Sequence, residues 1–230
     1  MQTKNISGII HIQNGMCFSS KECTGTGIDP KEMGKTLNNS CLDRVIVFEH
    51  STNDNEHDNN ILAIKDLARV LEISLCAGGT INRLEDVKKL LYAGAVEVII
   101  DGSNDEAINL CTEASSRFGA DKVIVALHNI DFVFKIKGIE DAIRKEYIVM
   151  DESLYAGILD ETKVPCILYT NEKDAKIISE HISHEKSSGF AGEAYVASDF
   201  DVMALKNAIN KPPYRFGYCL GHYGFSESLG

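Results

Sequence analysis

Histidine side chains follow two of the apolar runs in this 230-residue chain. His11 lies in GIIHIQNG and His128 lies in VALHNI. Apolar runs of this kind are typical of strands buried on both faces of a parallel sheet. An imidazole gives or takes a proton near neutral pH, so two of them at strand ends could act as a general acid and a general base. Asp151 falls at the end of another predicted strand, and the candidate catalytic residues are therefore His11, His128 and Asp151.

Two other interpretations of these strand ends stay open. Two histidines together with a carboxylate, with Glu49, His50 or Asp151 as the further candidates, form a reasonable ligand set for zinc or iron. Alternatively, the histidines are polar residues of the rim with no part in catalysis. We predict neither a metal ion nor an organic cofactor.

The stretch SLCAGGTINRLEDVKKLLYAGAVEVIIDGS places small residues at the ends of two predicted strands, with a helix between them. Glycine lets backbone amides approach a ligand closely, and a helix that begins there adds partial positive charge, which favours phosphate. We therefore predict a phosphate site formed by Gly78, Gly79, Thr80, Gly102 and Ser103. The structural alternative is a tight turn at the first pair of glycines and a helix cap at the second group.

Apolar runs alternate with helical patterns along most of the chain, with helix signals such as Pro30 behind Asp29 and terminal glycines at 94 and 119. This alternation predicts βαβ units, and the number of strands favours a (β/α)8 TIM barrel of class α/β over an open sheet. The active site of such a barrel lies at the carboxyl ends of its strands. The predicted strands are 6–12, 44–50, 72–78, 96–102, 122–128, 132–138, 146–152, 165–171 and 192–198. The predicted helices are 30–42, 59–72, 83–94, 105–119, 172–183 and 199–210.

The second half of the predicted barrel is shortened and irregular. Three strand-like runs crowd between 130 and 165, which leaves room only for short helices. Polar segments at 51–60 and 184–193 are expected to be loops. We predict one barrel domain over 1–210 and a C-terminal tail over 211–230, which we expect to be a loosely packed arm rather than an interaction segment.

The net charge and the distribution of apolar residues disfavour nucleic acid and membranes as partners. The formal net charge of −11 disfavours nucleic acid, because phosphate backbones would be repelled. No run of 18 apolar residues predicts a membrane span, and the N-terminus lacks the apolar core of a signal peptide, so we expect a cytoplasmic protein with no membrane partner. The seven cysteines form no CxxC pair, which disfavours a disulfide framework or a zinc knuckle.

The same segments resemble the histidine-biosynthesis barrels, namely phosphoribosylformimino-aminoimidazole-carboxamide ribotide isomerase and the cyclase subunit of imidazole glycerol phosphate synthase. GIIHIQNG is similar to the family's first strand, GIDPKEMGKTLNNSCLDRVIVFEHS to its first helix and second strand, and RFGADKVIVALH to its fifth strand. The resemblance covers 8–128 well. From 164 it is weaker, although AYVASDFDVMALKNAIN is similar to the last strand and helix. It implies a small phosphorylated, ribosyl ligand and a role in amino-acid biosynthesis.

The chain departs from the family pattern at the two catalytic positions and at the second phosphate site. The family performs an Amadori rearrangement or the related ring closure with aspartates at the ends of strands 1 and 5, and His11 and His128 stand at the matching positions. The stretches that match the second phosphate site, YTNEKD (169–174) and VASDF (196–200), contain no glycine and carry carboxylates. The resemblance therefore implies a single phosphate anchor.

The sequence favours a divergent barrel that binds a small phosphorylated ligand. If it is an enzyme, we expect an aldose–ketose isomerase of the Amadori type with histidines in place of the aspartates. The alternatives are a non-catalytic relative, including a subunit that pairs with a protein partner, and a metal-dependent lyase or hydrolase.

Overall fold

The computed structural model of the protein describes residues 2–103, 105–142, 146–212 and 214–217. Eight parallel strands form a closed barrel, because the first and last of them pair with each other. In chain order the strands are β1 (Gln2–Gln13), β2 (Met16–Phe18), β3 (Arg44–His50), β4 (Ser74–Gly79), β5 (Glu97–Asp101), β6 (Val123–Leu127), β7 (Glu146–Val149), β8 (Cys166–Tyr169), β9 (Ser187–Gly192) and β10 (Tyr214–Phe216). The barrel order is β1-β3-β4-β5-β6-β7-β8-β9, while β2 is antiparallel to β1 at its end and β10 is parallel to its start.

Helices cover the outside of the barrel. They are α1 (Pro30–Asn38), α2 (Asp54–Ala68), α3 (Leu84–Ala93), α4 (Glu106–Phe118), α5 (Ile130–Ile136), α6 (Glu152–Glu161), α7 (Ala175–His181) and α8 (Val202–Ile209). The predicted (β/α)8 barrel is thus confirmed. Predicted caps are also present: the Asp29 carboxylate accepts from the amides of Lys31 and Glu32, and Gly94 ends α3 with a φ of 115°.

The alternation of side chains along each strand divides the barrel interior into three layers. The middle layer is apolar and contains Ile9, Ile46, Cys76, Ile99, Ile124, Ile148, Ile167 and Ala191. Since successive side chains of a strand point to opposite faces, residues two positions away from these also face inward. The other face of each strand packs against the helices in a larger apolar core, which includes Val45, Val47, Val98 and Val125.

A buried polar layer closes the amino-terminal end of the barrel. The Arg44 guanidinium lies 2.8 Å from a carboxylate oxygen of Glu146, and their side chains are 6% and 5% exposed. The Arg44 Nε donates to the Ser7 hydroxyl at 3.2 Å, and the Cys76 thiol donates to Glu97 at 2.8 Å. These interactions compensate the charges that the barrel buries at this end.

Two of the predicted strands are wrong. The segment 132–138 lies mostly in α5, where Phe132, Val133 and Ile136 are buried at helical spacing and Asn129 caps the first turn. The segment 192–198 contains a short 3-10 helix, Glu193–Val196, and the eighth barrel strand is β9, inside the segment predicted as a loop at 184–193. Here Gly189 takes a φ of 138°, with the Asn5 backbone against its face, so a larger residue would not fit.

The predicted loop at 51–60 is also wrong over most of its length. The Asn53 side chain accepts from the amide of Glu56 and starts α2 at Asp54, and His57 is buried. At the C-terminus, β10 pairs with the start of β1, and most of the rest of the predicted tail lies outside the described residues. The division into a domain over 1–210 and a tail stays a prediction.

Among the described residues, no helix combines the length and the apolar character needed to cross a membrane.

Candidate active site at the barrel mouth

A cavity of about 330 Å³ opens at the carboxyl ends of the strands, where the fold predicts the active site. Both histidines identified from the sequence lie in its wall. So does Lys21, the basic residue of the wall, contributed by the loop between β2 and α1. The lining residues are His11, Lys21, Phe48, Glu49, His50, Gly79, Thr80, Ile99, Asp101, Ala126, His128 and Met150.

His11 takes part in a hydrogen-bonded chain of three side chains. Its Nδ1 lies 2.9 Å from Nε2 of His50, and its Nε2 lies 2.7 Å from Oε1 of Glu193. The planes of the two imidazole rings are inclined by 26°, and their centroids are 5.1 Å apart. Burial lowers the pKa of His11, and the Glu193 carboxylate opposes this effect. Burial also lowers the pKa of His50, against the charge of Glu49. Both rings are therefore held toward the neutral form, in which a histidine can accept a proton.

His128 lies in the opposite electrostatic environment. Its Nε2 is 3.1 Å from Oδ1 of Asp101, and this hydrogen bond raises the pKa of His128 and lowers that of Asp101. About half of each side chain is exposed at the mouth. Both shifts favour the ionised form of the pair, in which His128 can give a proton.

Asp151, the third residue of the predicted catalytic set, has a different position. Its carboxylate caps α6 by accepting from the Ser153 hydroxyl at 2.7 Å and from the Ser153 amide at 2.9 Å, and these hydrogen bonds, the hydroxyl's first, lower its pKa. The residue before it, Met150, reaches the cavity instead. The local geometry thus gives Asp151 a role in helix capping.

The predicted phosphate segment lies at the mouth, but protein atoms already accept from several of its amides. The Thr80 amide donates to Oε1 of Glu49 at 3.1 Å, and the Ser103 amide donates to Oδ1 of Asp101 at 2.9 Å. The Gly102 amide donates to the carbonyl of Ala126 at 2.9 Å. Gly78 and Gly79 lie in β4, and Gly79 has a φ of 119°. The phosphate site stays a prediction, and a phosphate there would have to displace two carboxylates.

Glu49 is fixed behind the mouth by side chains of α2. Its two carboxylate oxygens meet His57 Nδ1 at 3.0 Å and the Asn60 amide at 3.1 Å. Because Glu49 alternates with Phe48 and His50, its side chain leaves the barrel interior toward the helices. Glu49 therefore organises the end of β3 and the Thr80 backbone.

In the first stretch that matches the family's second phosphate site, polar side chains likewise already bind backbone amides. The Asn171 side chain accepts from the Ala194 amide at 2.9 Å, and the Thr170 hydroxyl accepts from the Glu172 amide at 3.1 Å. Gly192 ends β9, and the next residue, Glu193, brings its carboxylate to His11. A carboxylate thus stands directly after the last barrel strand, at Glu193, whereas the sequence pattern predicted the carboxylate of this end within 196–200.

The metal interpretation has no geometric support in the described part of the chain. There, no group of three or more His, Cys, Asp and Glu side chains is arranged to hold a metal ion.

Sequence reasoning missed Glu193 and Asp101, and it considered His50 only as a metal ligand. The signal for His50 and Asp101 was available, because His50 ends the predicted strand 44–50 and Asp101 is the penultimate residue of the predicted strand 96–102. Glu193 was hidden by the misplaced last strand.

A closed parallel barrel with titratable side chains at the carboxyl ends of its strands defines the class, a (β/α)8 barrel. The family model described as "Histidine biosynthesis protein" matches residues 6–170, and the chain belongs to this family. The family identified from the sequence is thus confirmed.

Curated relatives agree with this assignment. The imidazole glycerol phosphate synthase subunit HisF of Exiguobacterium sp. is 33% identical over 107 residues, which cover 46% of this chain and 41% of the relative. The protein of the same name from Methanococcus maripaludis is 28% identical over 169 residues, 71% of this chain and 57% of the relative. That from Lactococcus lactis is 29% identical over 129 residues, 55% and 50% respectively. The chain thus spans about half the length of the curated relatives it matches.

Proposed function

We propose that the barrel mouth catalyses an acid–base isomerisation of the aldose–ketose, Amadori type. In this reaction a proton leaves one position of the ligand and another enters at a second position. The histidine pair of His11 and His50 supplies the accepting side, and His128 supplies the donating side. The observation that carries the proposal is that these two systems share one cavity and have pKa values displaced in opposite directions.

The chemistry needs two groups in different protonation states at the same pH. A buried histidine with a lowered pKa is unprotonated near neutrality, while a histidine paired with a carboxylate stays protonated to higher pH. Histidines can therefore replace the two aspartates that the family resemblance implies. We therefore propose His128 as the acid and place His11 in the accepting pair with His50.

The ligand we propose is small and carries a phosphate, as the name of the relatives suggests for their own reaction. Lys21 supplies a cation to the mouth, whereas Asp101 and Glu193 bring negative charge to the strand ends. This balance favours one phosphate over two, since each carboxylate repels a nearby phosphate. Gly78, Gly79, Thr80, Gly102 and Ser103 remain the proposed anchor, and its occupation would require Glu49 and Asp101 to release two amides.

Ligand binding is tested first by thermal unfolding of the full chain in titrations with inorganic phosphate, ribose 5-phosphate and the bis-phosphorylated substrate of the isomerase in this family. A ligand that binds only the native state stabilises it by about 2.7 kcal/mol at a hundredfold excess over its dissociation constant. We expect ribose 5-phosphate to raise the melting temperature more than the bis-phosphorylated compound does. Equal stabilisation by both would contradict the argument for a single anchor.

Turnover is tested with the ligand that binds, by following proton exchange with solvent deuterium. His128→Asn should lower the exchange rate by roughly 10²–10⁴-fold, the usual contribution of a general acid or base. His181→Asn is the matched control, because His181 lies on α7 and pairs with Glu152 rather than lining the cavity. Binding without exchange in the unmodified protein would refute the isomerase and favour the non-catalytic alternative.

A protein partner is a further proposal, supported by the word "subunit" in the names of the relatives. The expectations of a cytoplasmic location and of no nucleic-acid partner stay predictions.

A further inference from the structure

We propose that Glu193, His11 and His50 form a proton relay in which His50, rather than His11, meets the ligand. This inference deepens the proposed function, since it names the atom that exchanges a proton with the ligand at the same mouth. Glu193 and His11 then act through His50 as positioning residues.

His11 and His50 differ in how accessible they are from the cavity. His11 is only 4% exposed, and both of its ring nitrogens lie within hydrogen-bond distance of protein atoms. A ligand proton could reach His11 only if one of these two short interactions were broken. His50 is less buried, lines the cavity and uses only Nε2 in the relay. Its Nδ1 is the ring nitrogen that the relay leaves for the ligand.

The carboxylate fixes the direction of both hydrogen bonds. An ionised Glu193 only accepts, so Nε2 of His11 must donate to it. A neutral His11 then has an unprotonated Nδ1, which accepts from Nε2–H of His50. Nδ1 of neutral His50 is consequently the unprotonated, basic nitrogen. One acceptor at the buried end thus sets the tautomer of a ring that it does not touch.

The proton step balances within this arrangement. The ligand C–H or O–H bond breaks, its electron pair stays on the ligand, and the proton forms a bond to Nδ1 of His50. The resulting imidazolium donates through Nε2 to His11, whose own N–H points at the Glu193 carboxylate. The negative charge at the far end stabilises the positive charge that arrives at the near end. Return of the proton to the ligand restores the neutral relay.

Other charges face the relay and enter any titration. The charge of Glu49 opposes the lowering of the His50 pKa by burial, and Glu22, in the loop before α1, opposes that of the His11 pKa. Tyr169 forms a side-chain hydrogen bond with Glu193, and the Cys23 thiol also lies in its field. Lys21 lies in the same wall, and the ion pair of Asp101 and His128 lies farther round the cavity. Because Glu22 is exposed and acts on His11 through space, its removal is the matched control for a general field effect.

The test is histidine ¹H–¹⁵N NMR of the ligand-free full chain, titrated with pH. In the unmodified protein we expect His11 and His50 both to be protonated at Nε2 and unprotonated at Nδ1. Glu193→Gln should lower the titration midpoint of His50 by about half a pH unit or more, since one unit corresponds to 1.36 kcal/mol of differential stabilisation. Glu22→Gln should leave the His50 midpoint nearly unchanged. The unmodified protein alone is decisive if a variant does not fold, because an N–H at Nδ1 of His11 would overturn the relay.

A second measurement, made in a variant that lacks the His11 imidazole, distinguishes a relay from a through-space effect of the Glu193 charge. In His11→Asn, the effect of Glu193→Gln on the His50 midpoint should disappear. If the shift persists at full size, or if Glu193→Gln never moves His50, the relay is refuted. These measurements need no ligand, so a relay that passes them in a protein without isomerase turnover would refute the proposed function alone.

Discussion

The buried ion pair at the amino-terminal end of the barrel supports a stability prediction of known size. Arg44→Met removes the cation and leaves the Glu146 carboxylate in an environment where its side chain is 5% exposed. Removal of one partner of a buried pair typically costs about 3–5 kcal/mol, because the remaining charge is desolvated without compensation. The lost hydrogen bond to Ser7 adds to this cost.

The expected loss of stability is large compared with the total free energy of unfolding. A domain of this size is typically stable by about 5–15 kcal/mol, and 1 kcal/mol moves its melting temperature by about 2–4 °C. We therefore expect Arg44→Met to lower the melting temperature by about 6–20 °C. The double variant Arg44→Met/Glu146→Leu should recover most of the loss, since apolar residues of similar volume often replace a buried pair at little cost.

The assay is equilibrium urea unfolding followed by circular dichroism, with calorimetry for the melting temperatures. Lys35→Met is the control, because Lys35 forms an equally close pair with Glu32 at 2.7 Å on the exposed surface of α1, and its removal should leave the unfolding midpoint unchanged. A loss below about 1 kcal/mol for Arg44→Met, or a double variant as unstable as the sum of the single changes, would refute the assignment of a compensated buried pair.

Three further outcomes are expected. Asp101→Asn should lower the pKa of His128, so that, as pH rises, His128 loses its proton earlier than it does in the unmodified protein. A histidine NMR titration with an unchanged midpoint would contradict this. Gly94→Ala should destabilise the protein by about 1–2 kcal/mol in urea unfolding, because the residue takes a left-handed φ of 115° at the end of α3. In the native protein a disulfide reagent should modify the partly exposed Cys23 and spare Cys76, whose pKa is raised by burial; equal modification of both, read by mass spectrometry, would argue against that burial.

The first half of the fold was predictable because local pattern and tertiary structure agree there. The run at 44–50 coincides with β3, and Gly94 and Gly119 end α3 and α4. The apolar runs mark strands that the barrel buries on both faces, so hydrophobicity alone identifies them. The two histidines at the mouth followed from the same strands, because a strand end fixes which residue reaches the cavity.

Prediction failed in the second half of the chain, where the local sequence pattern does not match the tertiary structure. The segment 132–138 is rich in Phe, Val and Ile, yet its apolar residues sit at helical spacing and α5 buries them against the barrel. The last strand, SSGFAG, has little apolar bulk because Gly189 and Gly192 lie against neighbouring backbone. Hydrophobicity therefore pointed to the segment that follows, and Glu193 was not recognised as a strand-end residue.

The layer of isoleucines through the middle of the barrel has a consequence for how such a protein changes over time. It separates the polar end that includes Arg44 from the mouth, so the residues that tune chemistry and those that secure folding are different sets, several ångströms of hydrocarbon apart. Substitutions at the exposed part of the mouth, such as at His128, leave the buried ion pair of Arg44 and Glu146 intact. A barrel of this fold can therefore carry histidines at the mouth in place of carboxylates without a change of fold.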